Sequence, residues 1–138
     1  MEHHPERYGP ETLRLLRTGS TVTEDAYRAA LRRREDLLPR AAEAYRDIDV
    51  LLTPAAPFTA PATTPPVDTP EGELEGLFTA VFNVTGDPAL VLPCGWDGDG
   101  LPIGIQLSAP RGADMALLAA ATWIEQTLAF GRRAPAVH

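Results

Sequence analysis

The sequence predicts an α/β fold, with helices packed on a small mixed sheet that ends in a β-hairpin and a terminal helix. Three observations predict it. Two apolar runs, Ala89–Pro93 and Ile103–Leu107, flank Trp96-Asp97-Gly98-Asp99-Gly100, and Asp-Gly between apolar runs marks a hairpin because such turns need positive φ. Tyr27, Ala30, Leu31, Leu37, Leu38, Ala41, Tyr45 and Ile48 recur at three- and four-residue spacing, the period of an amphipathic helix. Ala113–Leu128 is rich in alanine and leucine and helical in period, with Gly131 to close it.

The other elements follow in order. A short helix is expected over Pro10–Arg17, since proline is tolerated in a first turn, and Gly19 lies just past its end. Thr21 with Glu24 fits a capping box that opens the long helix. Pro39 should kink or divide that helix, because it lacks an N–H and clashes with the preceding turn. Asp49–Thr53 reads as a buried strand bounded by Pro54. From Pro54 to Pro70 there are six prolines in seventeen residues. That segment runs extended over the surface, with a disordered linker as the alternative, and Phe58 and the alanines give it something to dock. Glu71–Val84 should be one helix with Leu74, Leu77, Phe78, Val81 and Phe82 on a face. Its glutamates sit at the start, where the dipole favours them, and Gly86 and Pro88 end it. The expected organisation is a single domain over 1–138: helical over 1–48, strand and Pro-rich loop over 49–70, helix–hairpin–helix over 71–138.

Composition narrows the function classes. A hydrophobic content of 44% with 22% charged residues is that of a soluble globular protein. No apolar run approaches the ~20 residues that span a bilayer, and MEHHPERYGP lacks a signal-peptide core. A single cysteine, Cys94, forms no internal disulfide, so the expected compartment is the cytoplasm. Net charge is −7, and residues 47–138 carry three Arg against eleven Asp/Glu. A nucleic-acid binder needs a basic face, and the acidic segment offers none. Arg32-Arg33-Arg34, flanked by Glu35 and Asp36, reads as a solvated helix face.

Candidate chemical motifs resolve to structural roles. Asp97-Gly98-Asp99-Gly100 fails as a calcium loop, since Pro102 and Ser108 stand where the glycine and glutamate are needed. Cys94 has no histidine to make a thiolate, because His3, His4 and His138 lie at the termini. His3-His4 lacks further ligands for a metal. No cofactor is implied. Trp96 and Trp123 read as packing residues. The chain has no lysine and only two serines, Ser20 and Ser108. Nothing here can activate a nucleophile, so no catalytic residue is assigned and the isolated chain is expected to be inactive.

Five motifs, in order and similarly spaced, carry a resemblance: HPERYGPETLRLLRTG, EDAYRAALRRRE, DVLLTPAAP, FNVTGDPALVLPCG and GLPIGIQL. Together, over about His4 to Phe130, they resemble the last third of the amidase signature enzymes, serine hydrolases that cleave amide bonds. The resemblance implies a partial amidase signature fold without the family's Ser–Ser–Lys apparatus, whose Gly/Ser-rich loop is absent. It implies that part of the substrate pocket comes from Thr53, Pro54, Ala55, Ala56, Pro57 and Phe58, and from Gly76, Leu77 and Ala80. Members that hydrolyse glutamine for transfer to charged tRNA place an aspartate near position 76. Gly76 stands there, which points to a more apolar substrate. Gly104 suits a close backbone approach in a strand, and Gln106 is read as tying down backbone groups. The implied partners are a missing N-terminal amidase portion or a second copy, and a small amide if the enzyme is complete; nucleic acid and membrane are not expected. The alternatives are a non-catalytic, amidase-derived domain that binds a ligand or protein, and a small acidic α/β interaction domain.

Overall fold

The hairpin forms where the turn chemistry puts it. In the computed structural model, which describes residues 4–66 and 69–130, β2 (Ala89–Trp96) and β3 (Pro102–Ser108) pair antiparallel from Ala89↔Ser108 to Trp96↔Pro102. Both strands exceed the expected ranges, and Trp96 belongs to β2 rather than to the turn. The register shifts between Pro93 and Gly95, which makes Cys94 the extra residue of a bulge. Asp97 closes the turn: its Oδ1 accepts from the N–H groups of Asp99 (2.9 Å) and Leu101 (2.8 Å), and Gly100 takes φ +78°. The same carboxylate accepts from the Thr59 hydroxyl.

The third strand, β1 (Leu51–Pro54), pairs antiparallel with β3, giving the order β1-β3-β2. Among the described residues the sheet is therefore antiparallel rather than mixed, since both ladders to β3 run antiparallel. β1 begins two residues later than expected and includes Pro54. Ala55 N–H supplies the next ladder bond, to Gly104 O at 3.0 Å. The nitrogen of Pro54 thus falls in the alternate position, facing the open edge, where proline is tolerated.

Directly opposed residues share a face in such a ladder, and this sorts the core. Leu107 packs beside Leu90 and Leu92 under α5 (Asp114–Leu128), whose Leu117 and Ala121 are buried. The other face presents Gln106, Ser108 and Thr53. α5 ends at Ala129, whose φ of +47° is left-handed; the expected stop, Gly131, lies outside the described residues.

The chain divides into two compact units inside α2 (Glu24–Ala44), between Leu37 and Leu38. The first holds α1 (Pro10–Ser20), which runs through Gly19 rather than stopping before it. The hydroxyls of Thr18, Ser20 and Thr21 donate back to Arg14 O, Arg17 O and Thr18 O. They satisfy last-turn carbonyls that a glycine stop would otherwise release. The cap of α2 is Thr23, whose Oγ1 accepts from Ala26 N–H at 3.2 Å. A box on Thr21 does not form, because Thr21 is spent closing α1 and Glu24 pairs with Arg28 at 2.7 Å. α2 passes through Pro39 undivided. Arg32, Arg33 and Arg34 are exposed, as expected of a solvated face.

The helix expected over 71–84 is two helices, α3 (Pro70–Glu75) and α4 (Ala80–Thr85). Thr69 caps α3 through Gly72 N–H at 3.1 Å. The chain then tightens: Leu77 bonds Leu74 O, Thr79 bonds Gly76 O, and Phe82 bonds Thr79 O. Three-residue closures of this kind are 3₁₀ in type. They leave Phe78 O outside the helical ladder, where another group takes it. Gly86 ends α4 as expected, at φ +76°.

Candidate functional site

Gln106 ties the non-α5 face of the sheet together. Only 2% exposed, its Nε2 donates to Thr53 Oγ1 (3.1 Å) and to Phe78 O (2.9 Å), the carbonyl freed between α3 and α4. This is the structural role expected of it. Two positions along, Ser108 Oγ accepts from the buried phenol of Tyr45 at 2.9 Å. Burial pushes the Tyr45 phenol above its ordinary range; the Ser108 bond opposes that and the Asp87 charge adds to it.

Beside this face lies a cleft of about 390 Å³. Its wall is Pro54, Ala55, Ala56, Pro57, Phe58, Thr59 and Ala60, and its floor is Pro102, Ile103 and Gly104. Five of the loop candidates, Pro54 to Phe58, line it together. Thr53 does not; it sits in β1 with its hydroxyl engaged by Gln106. Gly76, Leu77 and Ala80 do not line it either. They belong to the α3–α4 connection, where Gly76 carries the turn and Leu77 is 57% exposed. Sequence reading missed Thr59, Ala60, Pro102 and Ile103 as lining. The usable signal was Gly104: a Cβ there would stand 3.0 Å from Ala55 Cβ and 3.0 Å from Val91 Cγ1. The strand and the loop approach each other as only glycine permits.

Asp97 braces the wall from outside. Hydrogen bonds, that from Thr59 first and then those from the turn, hold its carboxyl below the usual range. The loop that forms the cleft is thus attached to the hairpin turn at one end and to β3 at the other.

A second cleft, of about 430 Å³, is lined by Leu38, Ala42, Tyr45, Thr85, Asp87, Pro110 and Arg111. No local pattern marks it, because its residues come from three separated segments. Arg111 Nη2 donates to Thr85 O across it. Trp96 stacks on Phe130 at 4.9 Å, a packing role as expected, whereas Trp123 is 68% exposed and packs no core. Cys94 is half-buried and free. Among the described residues no helix is long and apolar enough to cross a membrane.

Comparison with known proteins agrees with this arrangement. The family model described as Amidase matches residues 2–118. The chain is 34% identical to a subunit of the Glutamyl-tRNA(Gln) amidotransferase of Granulibacter bethesdensis, over 93% of this chain and 27% of that protein. It is 35% identical to an Amidase of Pseudomonas putida, over 98% of this chain and 30% of that one. A crystal structure of an amidase superposes with a TM-score of 0.78 at 32% identity, over 91% of this chain and 30% of its own. The chain spans less than a third of the length of these relatives. With the GLPIGIQL strand, the Pro-rich loop and the hairpin in the expected places, the chain belongs to the amidase family.

Proposed function

We propose that these 138 residues supply scaffold and part of the substrate pocket of an amide hydrolase, and do not hydrolyse amides by themselves. The carrying observation is the state of the serines. Ser108 is 1% exposed and its Oγ accepts from the Tyr45 phenol, while Ser20 is exposed and donates to Arg17 O at 2.6 Å. Among the described residues neither meets a base that could take its proton, and the sequence contains no lysine. The nucleophile and its activating groups therefore come from outside these residues. The pocket contribution is the Pro54–Phe58 loop, supported by its cleft; Thr53 contributes by fixing the loop's start through Gln106. Gly76, Leu77 and Ala80 face a substrate only once further polypeptide completes the pocket. A cytoplasmic setting suits the single free cysteine.

The test is direct. The purified chain is assayed against aryl amides and p-nitrophenyl esters, alone and as Ser20→Ala, Ser108→Ala and Cys94→Ala. No turnover above buffer is expected. Turnover abolished by any one of these substitutions would overturn the reading.

A further inference from the structure

We infer that the cleft between the 54–60 loop and the start of β3 takes an uncharged apolar group and rejects a zwitterionic amide. The inference rests on the reading of this loop as an amide-binding surface, and adds the chemical class of the guest. Among the described residues, none with an ionisable side chain lines the cleft. Its single side-chain hydroxyl, that of Thr59, is already donated to Asp97. An ammonium or carboxylate entering here loses water and meets no opposite charge on the lining itself. The Asp97 carboxylate behind Thr59 is already taken up by hydrogen bonds from Thr59 and the turn, so little offsets the desolvation. An aromatic or branched aliphatic group, by contrast, lies against Phe58, Ile103 and the prolines, and gains by leaving water.

Two residues fix this shape. Gly104 keeps the floor open, because a Cβ would press on Ala55 and Val91 at 3.0 Å each. Asp97 holds Thr59, and so turns the loop's only polar side chain toward the hairpin turn. The volume of about 390 Å³ suits a compact guest.

The experiment uses the full ¹⁵N-labelled chain, titrated in parallel with benzamide and with L-glutamine, the glutamine series extending about tenfold higher in concentration. Benzamide should move the amide resonances of Ala56, Phe58, Thr59, Ile103 and Gly104. Glutamine should move none of them at concentrations about tenfold higher, a discrimination of the size expected for unpaired polar groups. Ala56→Trp, at an exposed position, fills the cleft, and Phe58→Ala removes its ring. Each should weaken benzamide about tenfold while the rest of the spectrum keeps its dispersion. Glutamine binding here as well as benzamide overturns the apolar class but leaves the loop as an amide-binding surface. Absence of benzamide shifts at the loop, or shifts unchanged in both variants, overturns the loop's role itself.

Discussion

Gln106 joins three segments with one amide group, and its partners lie 53 and 28 residues away in sequence. Gln106→Leu keeps the volume but leaves Phe78 O and Thr53 Oγ1 without their donor. Unsatisfied buried groups cost about 1–3 kcal/mol, and urea denaturation should show a loss of that size. Tyr45 offers a test by pH. Its folded pKa is raised above the unfolded value near 10, by burial first. Below pH ~10 both states hold the proton and stability is flat. Above it the unfolded chain releases its proton first, so stability falls as pH rises through the folded pKa. Tyr45→Phe should flatten that alkaline limb in denaturation curves from pH 8 to 11, at a cost of about 1 kcal/mol at pH 8 for the lost Ser108 bond. The role of Gln106 was legible in the sequence as a polar residue inside an apolar strand. Its partners were not, because nothing local to GIQL specifies a carbonyl released by a distant turn.

At the scale of elements, local chemistry was read well and interrupted periodicity was not. The hairpin was legible because Asp-Gly and the apolar runs lie within twenty residues of one another. The α3–α4 break was missed because Leu74, Leu77, Phe78, Val81 and Phe82 keep helical spacing straight through it. Spacing reports which face is apolar, and it cannot report that Gly76 and Thr79 close three-residue turns. The capping error had a similar source, since Thr21-Val22-Thr23-Glu24 offers two threonines and the choice depends on which one α1 has already used. Gly86 carries the prediction at this scale. Its φ of +76° closes α4, and a Cβ would meet Arg111 Nη2 at 2.9 Å. The arginine end is flexible and can yield, so the lasting cost of Gly86→Ala is the left-handed backbone, about 1–2 kcal/mol. A fall in urea midpoint with unchanged slope would show it. An unchanged midpoint would mean that the end of α4 is not held in this conformation.

For the whole molecule, the loop side of the candidate cleft was named in the sequence only through the family resemblance, and its floor from β3 came only with the antiparallel register. Two features then bear on how the chain behaves in solution. Among the described residues both outer strands are edges, since β1 and β2 each pair there with β3 alone. Unpaired edges are templates for another strand, and Leu52 and Val91 on them are 52% and 51% exposed. In addition, α5 is apolar nearly all round, with Met115 77%, Leu118 52% and Trp123 68% exposed. A helix of that composition normally lies inside a larger body, and large exposed apolar patches mark interaction surfaces. We therefore expect the chain to self-associate or to depend on a further polypeptide. Light scattering over a concentration series should show a rising mean mass. Val91→Lys, which charges the β2 edge, and Trp123→Lys, which charges the outer face of α5, should each shift the distribution toward monomer. A compact monomer at all concentrations, with one cooperative thermal transition and no binding of hydrophobic dye, would instead show that the edges and the α5 face need no partner. That outcome favours the self-sufficient, amidase-derived binding domain, because a scaffold segment awaiting its neighbours cannot hide this much apolar surface alone.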